Sequence, residues 1–121
     1  MEYESAVKVD SKAKVGVRFE IARMSFGRRL ELIRRVRELA QKYEFLEAGS
    51  SLKEKIEATA VAAEIDKIYL SWGLQGIEGL SVNGAPATPD SLIAKGPEDL
   101  CQEIIAAIKR ECGLSEAERK N

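Results

Sequence analysis

The stretch YLSWGLQGIEGLSVNG, residues 69–84, holds the only Trp of the chain and four of its nine Gly. Trp72 completes an apolar stripe at helical spacing, and Gly73 follows where a left-handed C′ residue would end the helix. Asn83-Gly84 is a strong signal for a two-residue hairpin turn. The stretch therefore predicts a helix stop and then a hairpin at about 77–88. Because these glycines follow a helix, they argue against a dinucleotide-binding loop.

Two long helices are predicted before this point. Ser25 is a candidate N-cap for a helix that runs to about Glu47. Ser51 and Glu54 form a capping box for a second helix that runs to Trp72. The first helix has a broad apolar arc, made of Leu32, Val36, Leu39, Tyr43 and Leu46 and widened by Phe26, Leu30, Ile33 and Ala40.

The second helix is apolar on two nearly opposite sides. One stripe consists of Ala58, Val61, Ile65, Ile68 and Trp72. The other, the candidate partner-binding stripe, consists of Leu52, Ile56, Ala60, Ala63 and Leu70. A helix of this kind either lies in the middle of the core or is covered by a partner, and the pattern leaves both open.

The ends of the chain complete an α+β prediction. Residues 14–22 alternate between apolar and polar side chains, as in a half-buried strand, and residues 1–13 are an extended arm or the other strand of a hairpin. Thr88 and Pro97 predict the starts of two further helices. Residues 114–121 are a frayed tail or the start of an extension. We expect one mainly helical domain over residues 1–121 with a small antiparallel sheet.

The composition favours a soluble cytoplasmic protein. The chain has 121 residues, 45% of them hydrophobic and 32% charged, which is enough for one core. No apolar run approaches the ~20 residues that span a bilayer, and the N-terminus does not resemble a signal peptide. Cys101 and Cys112 lie about 16 Å apart on one helix, too far for a disulfide, so we expect free structural thiols.

The sequence offers no pattern for catalysis. It contains no His, the commonest general base and metal ligand, and two distant Cys cannot form a zinc site. No phosphate-binding loop or nucleophile motif is present. We therefore expect a protein that is not an enzyme and has no catalytic residue, metal, cofactor or small-molecule substrate.

Positive charge is concentrated in one part of the chain. Seven of the nine Arg lie between Arg18 and Arg37, although the formal net charge is −1. Such asymmetry favours self-association or an acidic partner, and the alternative is a solvated helix face. The candidate basic face consists of Arg28, Arg34, Arg35 and Lys42. Glu residues share this face and no aromatic side chain lies among the Arg, which argues against nucleic-acid binding.

Four segments together resemble the tail assembly chaperones of tailed bacteriophages and prophages. They are FEIARMSFGRRLELIRRVREL, EIDKIYLSWGLQGIEGLSVNGAPATPDSLIAKGPEDL, EIIAAIKREC and GLSEAERKN. The likeness lies in their order and spacing, above all in the helix that ends in Trp-Gly, the turn-rich segment after it and the T-P-x-x-L helix start. It covers residues 18–121.

The resemblance implies a function without catalysis. Proteins of that family coat the long tape measure protein in the bacterial cytoplasm before the tail tube polymerises around it. The tape measure protein is thus the expected partner, and the tail tube protein a second one. Many relatives also exist in a longer, frameshifted form. The rival interpretations are a small cytoplasmic adaptor unrelated to phage and a nucleic-acid binder that uses the Arg face.

Overall fold

The computed structural model of the chain describes residues 1–113. Within them it has the strands β1 (Ala6–Asp10), β2 (Arg18–Ala22), β3 (Leu74–Glu78), β4 (Ser81–Val82) and β5 (Ala85–Pro86) and the helices α1 (Phe26–Glu47), α2 (Leu52–Gly73), α3 (Pro89–Lys95) and α4 (Glu98–Glu111). The predicted α+β class, mainly helical with a small antiparallel sheet, is confirmed. The tail or extension predicted at 114–121 lies outside the described residues.

The N-terminal residues form a hairpin strand. β1 pairs antiparallel with β2, with Val7 opposite Ile21 and Val9 opposite Phe19. The alternation predicted for residues 14–22 is correct for Phe19 and Ile21, which are buried. It is wrong for Val15, which lies in the β1–β2 loop with its side chain fully open to solvent, because β2 begins only at Arg18.

The residues after Trp72 form a strand that the local sequence pattern does not predict. β3 follows α2 directly and pairs with the free side of β2, so the sheet order is β1–β2–β3. Gly73 is the last residue of α2 and Leu74 takes an extended backbone, so the predicted left-handed C′ residue is wrong. A Cβ at Gly73 would lie 2.8 Å from the side chain of Ile108. Glycine is therefore required here for close packing of α4.

The hairpin predicted at about 77–88 is present but shorter. β4 and β5 form a separate two-stranded sheet, with Val82 opposite Ala85. The φ angles of Asn83 and Gly84 are 53° and 83°, as a type I′ turn requires. The turn residues thus act as the sequence indicates, while β3 and not this hairpin extends the main sheet.

The predicted helix starts are confirmed. The side chain of Ser25 accepts a hydrogen bond from the Arg28 backbone N–H, and Ser51 and Glu54 form the expected capping box. Thr88 caps α3, with Pro89 in the first turn. These caps satisfy backbone donors that would otherwise lack partners at helix starts.

The core lies between the three-stranded sheet, α4 and the C-terminal half of α2. Its fully buried members include Phe19, Ile21, Leu92, Leu100, Ile104 and Ile108. Trp72 and the nearby Ile65 and Ile68 are half-buried at its margin, so the first stripe of α2 faces the core. Both cysteines are free; Cys112 is buried and Cys101 half-buried.

Helix α1 packs mainly on α2, and the two form a hairpin that extends beyond this core. Only Leu32 of the predicted apolar arc is buried, with Val36, Leu39, Ala40, Tyr43 and Leu46 half-buried. The side chains of Phe26, Leu30 and Ile33, which the sequence places in the same arc, are exposed. No other described element covers that side of α1.

Glu103 of α4 anchors the loop between β1 and β2. Its carboxylate accepts hydrogen bonds from the Ser11 hydroxyl at 2.5 Å and from the backbone N–H groups of Lys12 at 2.7 Å and Ala13 at 3.4 Å. Desolvation raises the pKa of Glu103, but these hydrogen bonds outweigh it and hold the pKa below its ordinary value. The ionised form therefore stabilises the fold.

This anchor should make stability depend on acid pH. A carboxyl group whose pKa is lowered by folding stabilises the fold above its unfolded pKa, and the contribution disappears as pH falls through the folded pKa. We expect Glu103→Gln to lower the free energy of unfolding by about 1 kcal/mol at pH 7. Urea unfolding of both proteins at a series of pH values should show this difference shrinking below about pH 4. A difference independent of pH would contradict an ionised anchor.

A candidate partner-binding surface on the second helix

The candidate partner-binding stripe is mostly exposed. The side chains of Leu52 and Ile56 are 76% and 62% exposed, and Ala60 and Ala63 are exposed beside them on the same face of α2. Leu70 is only 3% exposed and belongs to the core. The sequence left core and interface open for this stripe; four members face solvent, and the fifth lies where α3 and α4 cover the helix.

A groove continues the stripe toward Leu70. It has a volume of about 550 Å³ and lies between α2, α3 and α4. Ala63 belongs to both the exposed stripe and the groove lining. The lining also includes Leu70, Ile93, Cys101 and Ile105. The exposed stripe and the groove together form one surface, which we call the α2 track. At 1.5 Å per residue, its length from Leu52 to Leu70 is about 27 Å.

The groove has an acidic rim. Asp66, Asp90 and Glu98 line it together with one cation, Lys67. Lys109 donates to Asp66 Oδ1 at 2.8 Å, and its ammonium lies 5.2 Å from the centre of the Tyr69 ring, so one of the carboxylates is already paired. Burial, and then the nearby Glu98 and Asp99, raise the pKa of the Cys101 thiol, which is therefore protonated at neutral pH.

The sequence could not have identified the α3 and α4 part of the track. Ile105 is buried and Cys101 half-buried, so most of their surface belongs to the core. Nothing in the spacing of α4 shows that its first turns lie beside α2. That proximity depends on how α3 and α4 pack against α2.

The predicted basic face is only partly free to bind a partner. The Arg28 guanidinium donates to the backbone carbonyls of Ser5 and Arg23, and so fastens the start of α1 to the sheet. Arg35 is paired with Glu31 at 2.9 Å. Arg34 and Lys42 are exposed and form no ion pair within residues 1–113. Of the four predicted residues, two are therefore engaged within the fold.

Neither a protein-family model, nor a curated protein, nor a solved structure is significantly similar to this chain. Among the helices of residues 1–113, none combines the length and the apolar character needed to cross a membrane. Among the described residues, the α2 track combines exposed apolar side chains with an adjoining groove, a shape and a chemistry suited to binding.

Proposed function

We propose that this chain is a non-catalytic tail assembly chaperone that binds a helical segment of a phage tape measure protein on the α2 track. The observation that carries the proposal is the continuity of the exposed stripe with the groove. An amphipathic helix recognises such a surface through apolar residues at positions i, i+3, i+4 and i+7. The order of sequence motifs, which resembles that family, supports the identity of the partner.

The dimensions support a helix as the bound element. A track of about 27 Å matches about 18 residues of α-helix, or five turns. Its apolar floor and acidic rim favour a partner helix that has basic residues beside its apolar face. Binding of this kind needs no reacting group, and it fits a protein that acts in the bacterial cytoplasm, in several copies along one long partner. The tail tube protein is a second proposed partner.

The decisive variant is Ile56→Glu. Ile56 is 62% exposed, so a charge there should leave the fold intact, while it would meet the apolar face of a bound helix. Losing one well-buried apolar contact is worth about 1.5–3 kcal/mol, which is roughly a 10- to 100-fold loss of affinity. Co-purification with the candidate tape measure protein from the same genome, quantified by titration, measures the effect.

The matched control is Val15→Glu, which places the same charge at an apolar position of the β1–β2 loop that is 96% exposed and lies outside the track. It should bind the tape measure protein as wild type does. Far-UV circular dichroism confirms that both variants fold. If folded Ile56→Glu binds normally, the track is not the site. If wild type does not bind this protein at all, the chaperone proposal fails, and an adaptor unrelated to phage, using the same track, replaces it.

A further inference from the structure

A second exposed apolar surface lies on α1. Phe26, Leu30 and Ile33 follow one another at steps of four and three residues, and so lie along one side of the helix over about 10 Å. Their side chains are 87%, 43% and 52% exposed. We call these three residues the α1 stripe. It is separate from the α2 track, because it lies on a different helix and contributes no residue to the groove.

Packing among residues 1–113 does not account for the α1 stripe. The buried side of α1 contains Leu32, and α1 packs mainly on α2. At about 100° per residue, the three stripe residues point about 100–160° away from Leu32. No rotation of α1 could bury both sides against α2. The stripe is therefore an apolar surface that the described residues leave uncovered.

Three arginines border the α1 stripe. Arg29 and Arg34 lie on its two sides and Arg37 continues its line by one turn. None of the three forms an ion pair within residues 1–113, and the Arg29 guanidinium donates to the backbone carbonyl of Cys112 at 3.5 Å. The nearest acidic residue along the helix, Glu31, is paired with Arg35 on the far side. The stripe thus combines apolar side chains with bordering arginines that form no ion pair among the described residues.

We propose that the α1 stripe is a second docking surface, and that its partner is an acidic amphipathic helix. Apolar residues of that helix would cover Phe26, Leu30 and Ile33, and Asp or Glu on its borders would pair with the arginines. Guanidinium groups bind carboxylates through two parallel hydrogen bonds, which gives such pairing geometric specificity. The α2 track has an acidic rim, so the two surfaces select helices of opposite charge.

The test uses two fluorescent peptides of about 15 residues, long enough to form a helix on binding. Both carry Leu at helical spacing; one has Glu and the other Lys on the borders of the Leu face. Fluorescence anisotropy uses the Ile56→Glu chain, because the acidic rim of the α2 track would itself favour the Lys peptide. The acidic peptide should bind this chain at least about tenfold more tightly than the Lys peptide at low salt, and less so in added salt. Adding Ile33→Glu should abolish binding of the acidic peptide, whereas wild type should bind it as Ile56→Glu does.

A second pair of variants tests how much the positive charge beside the stripe contributes to binding. Arg37→Glu, beside the stripe, should weaken binding of the acidic peptide several-fold, while Lys42→Glu, on another side of the same helix, should have little effect. Equal binding of the two peptides to Ile56→Glu, or retained binding of the acidic peptide when the folded chain also carries Ile33→Glu, would overturn the proposal. Displacement of the acidic peptide by a single-stranded oligonucleotide would assign the arginines to nucleic acid instead. Wild-type dimers that separate in Ile33→Glu, without peptide binding, would assign the stripe to contacts between copies.

Discussion

Phe19→Ala should lower the free energy of unfolding by about 4 kcal/mol, the largest effect that we expect from a single truncation in this chain. Phe19 lies in the central strand of the sheet, opposite Val9 and Ile77, and is only 1% exposed. β2 also packs against α4, so neighbours on three elements enclose the ring. Removing it would lose the transfer free energy of the side chain and leave a cavity that this surrounding structure cannot close.

Urea unfolding measures this loss, with the fluorescence of the only Trp, Trp72, as the probe. Val15→Ala is the control, because Val15 is 96% exposed and its truncation should change stability by no more than about 0.5 kcal/mol. A loss below about 1.5 kcal/mol for Phe19→Ala would mean that the ring is not enclosed as the structure shows.

Gly73→Val should be the second most destabilising change, by about 3 kcal/mol. A Cβ at this position would lie 2.8–2.9 Å from three side-chain atoms of Ile108, which is itself completely buried. Neither side can move away, because α2 continues directly into β3 and Ile108 is surrounded by the core. The same unfolding experiment measures the effect.

Two comparisons separate this clash from a simple preference for glycine. Gly27→Ala, in α1 with no atom within 4 Å of its Cβ position, should be neutral or stabilising by up to about 1 kcal/mol. In the Ile108→Ala background, Gly73→Ala should cost at least about 1 kcal/mol less than it does in wild type. Additive effects of the two substitutions would show that contact with Ile108 is not the reason that position 73 requires glycine.

The two proposed surfaces lie on neighbouring helices but differ in charge. The α2 track has three carboxylates and one Lys at its groove, whereas the α1 stripe is bordered by three Arg. A chain with both surfaces could hold two different helices at once, or one partner that contains segments of both kinds. Ile56→Glu and Ile33→Glu act on one surface each, so failure of either proposal leaves the other testable.

The sequence by itself determined the features that depend on residues a few positions apart. Ser25, Thr88 and the Ser51–Glu54 capping box set the starts of three helices, because their side chains bond to backbone groups within the first turn. Asn83-Gly84 set the hairpin turn, because both residues tolerate a positive φ. The exposed stripe on α2 was also visible as a pattern, although its environment was not.

Only the tertiary structure decided which apolar and charged residues are covered. Leu70 and Ile56 belong to the same sequence stripe, yet α3 and α4 cover the first and nothing among the described residues covers the second. Leu74–Glu78 resembles a turn locally and becomes a strand because β2 offers it a free edge more than 50 residues away in sequence. Helix α2 does end at Gly73, but glycine is needed there because a larger side chain would clash with Ile108. Each outcome depends on contacts between distant segments, and periodicity along one segment carries no information about what packs against it.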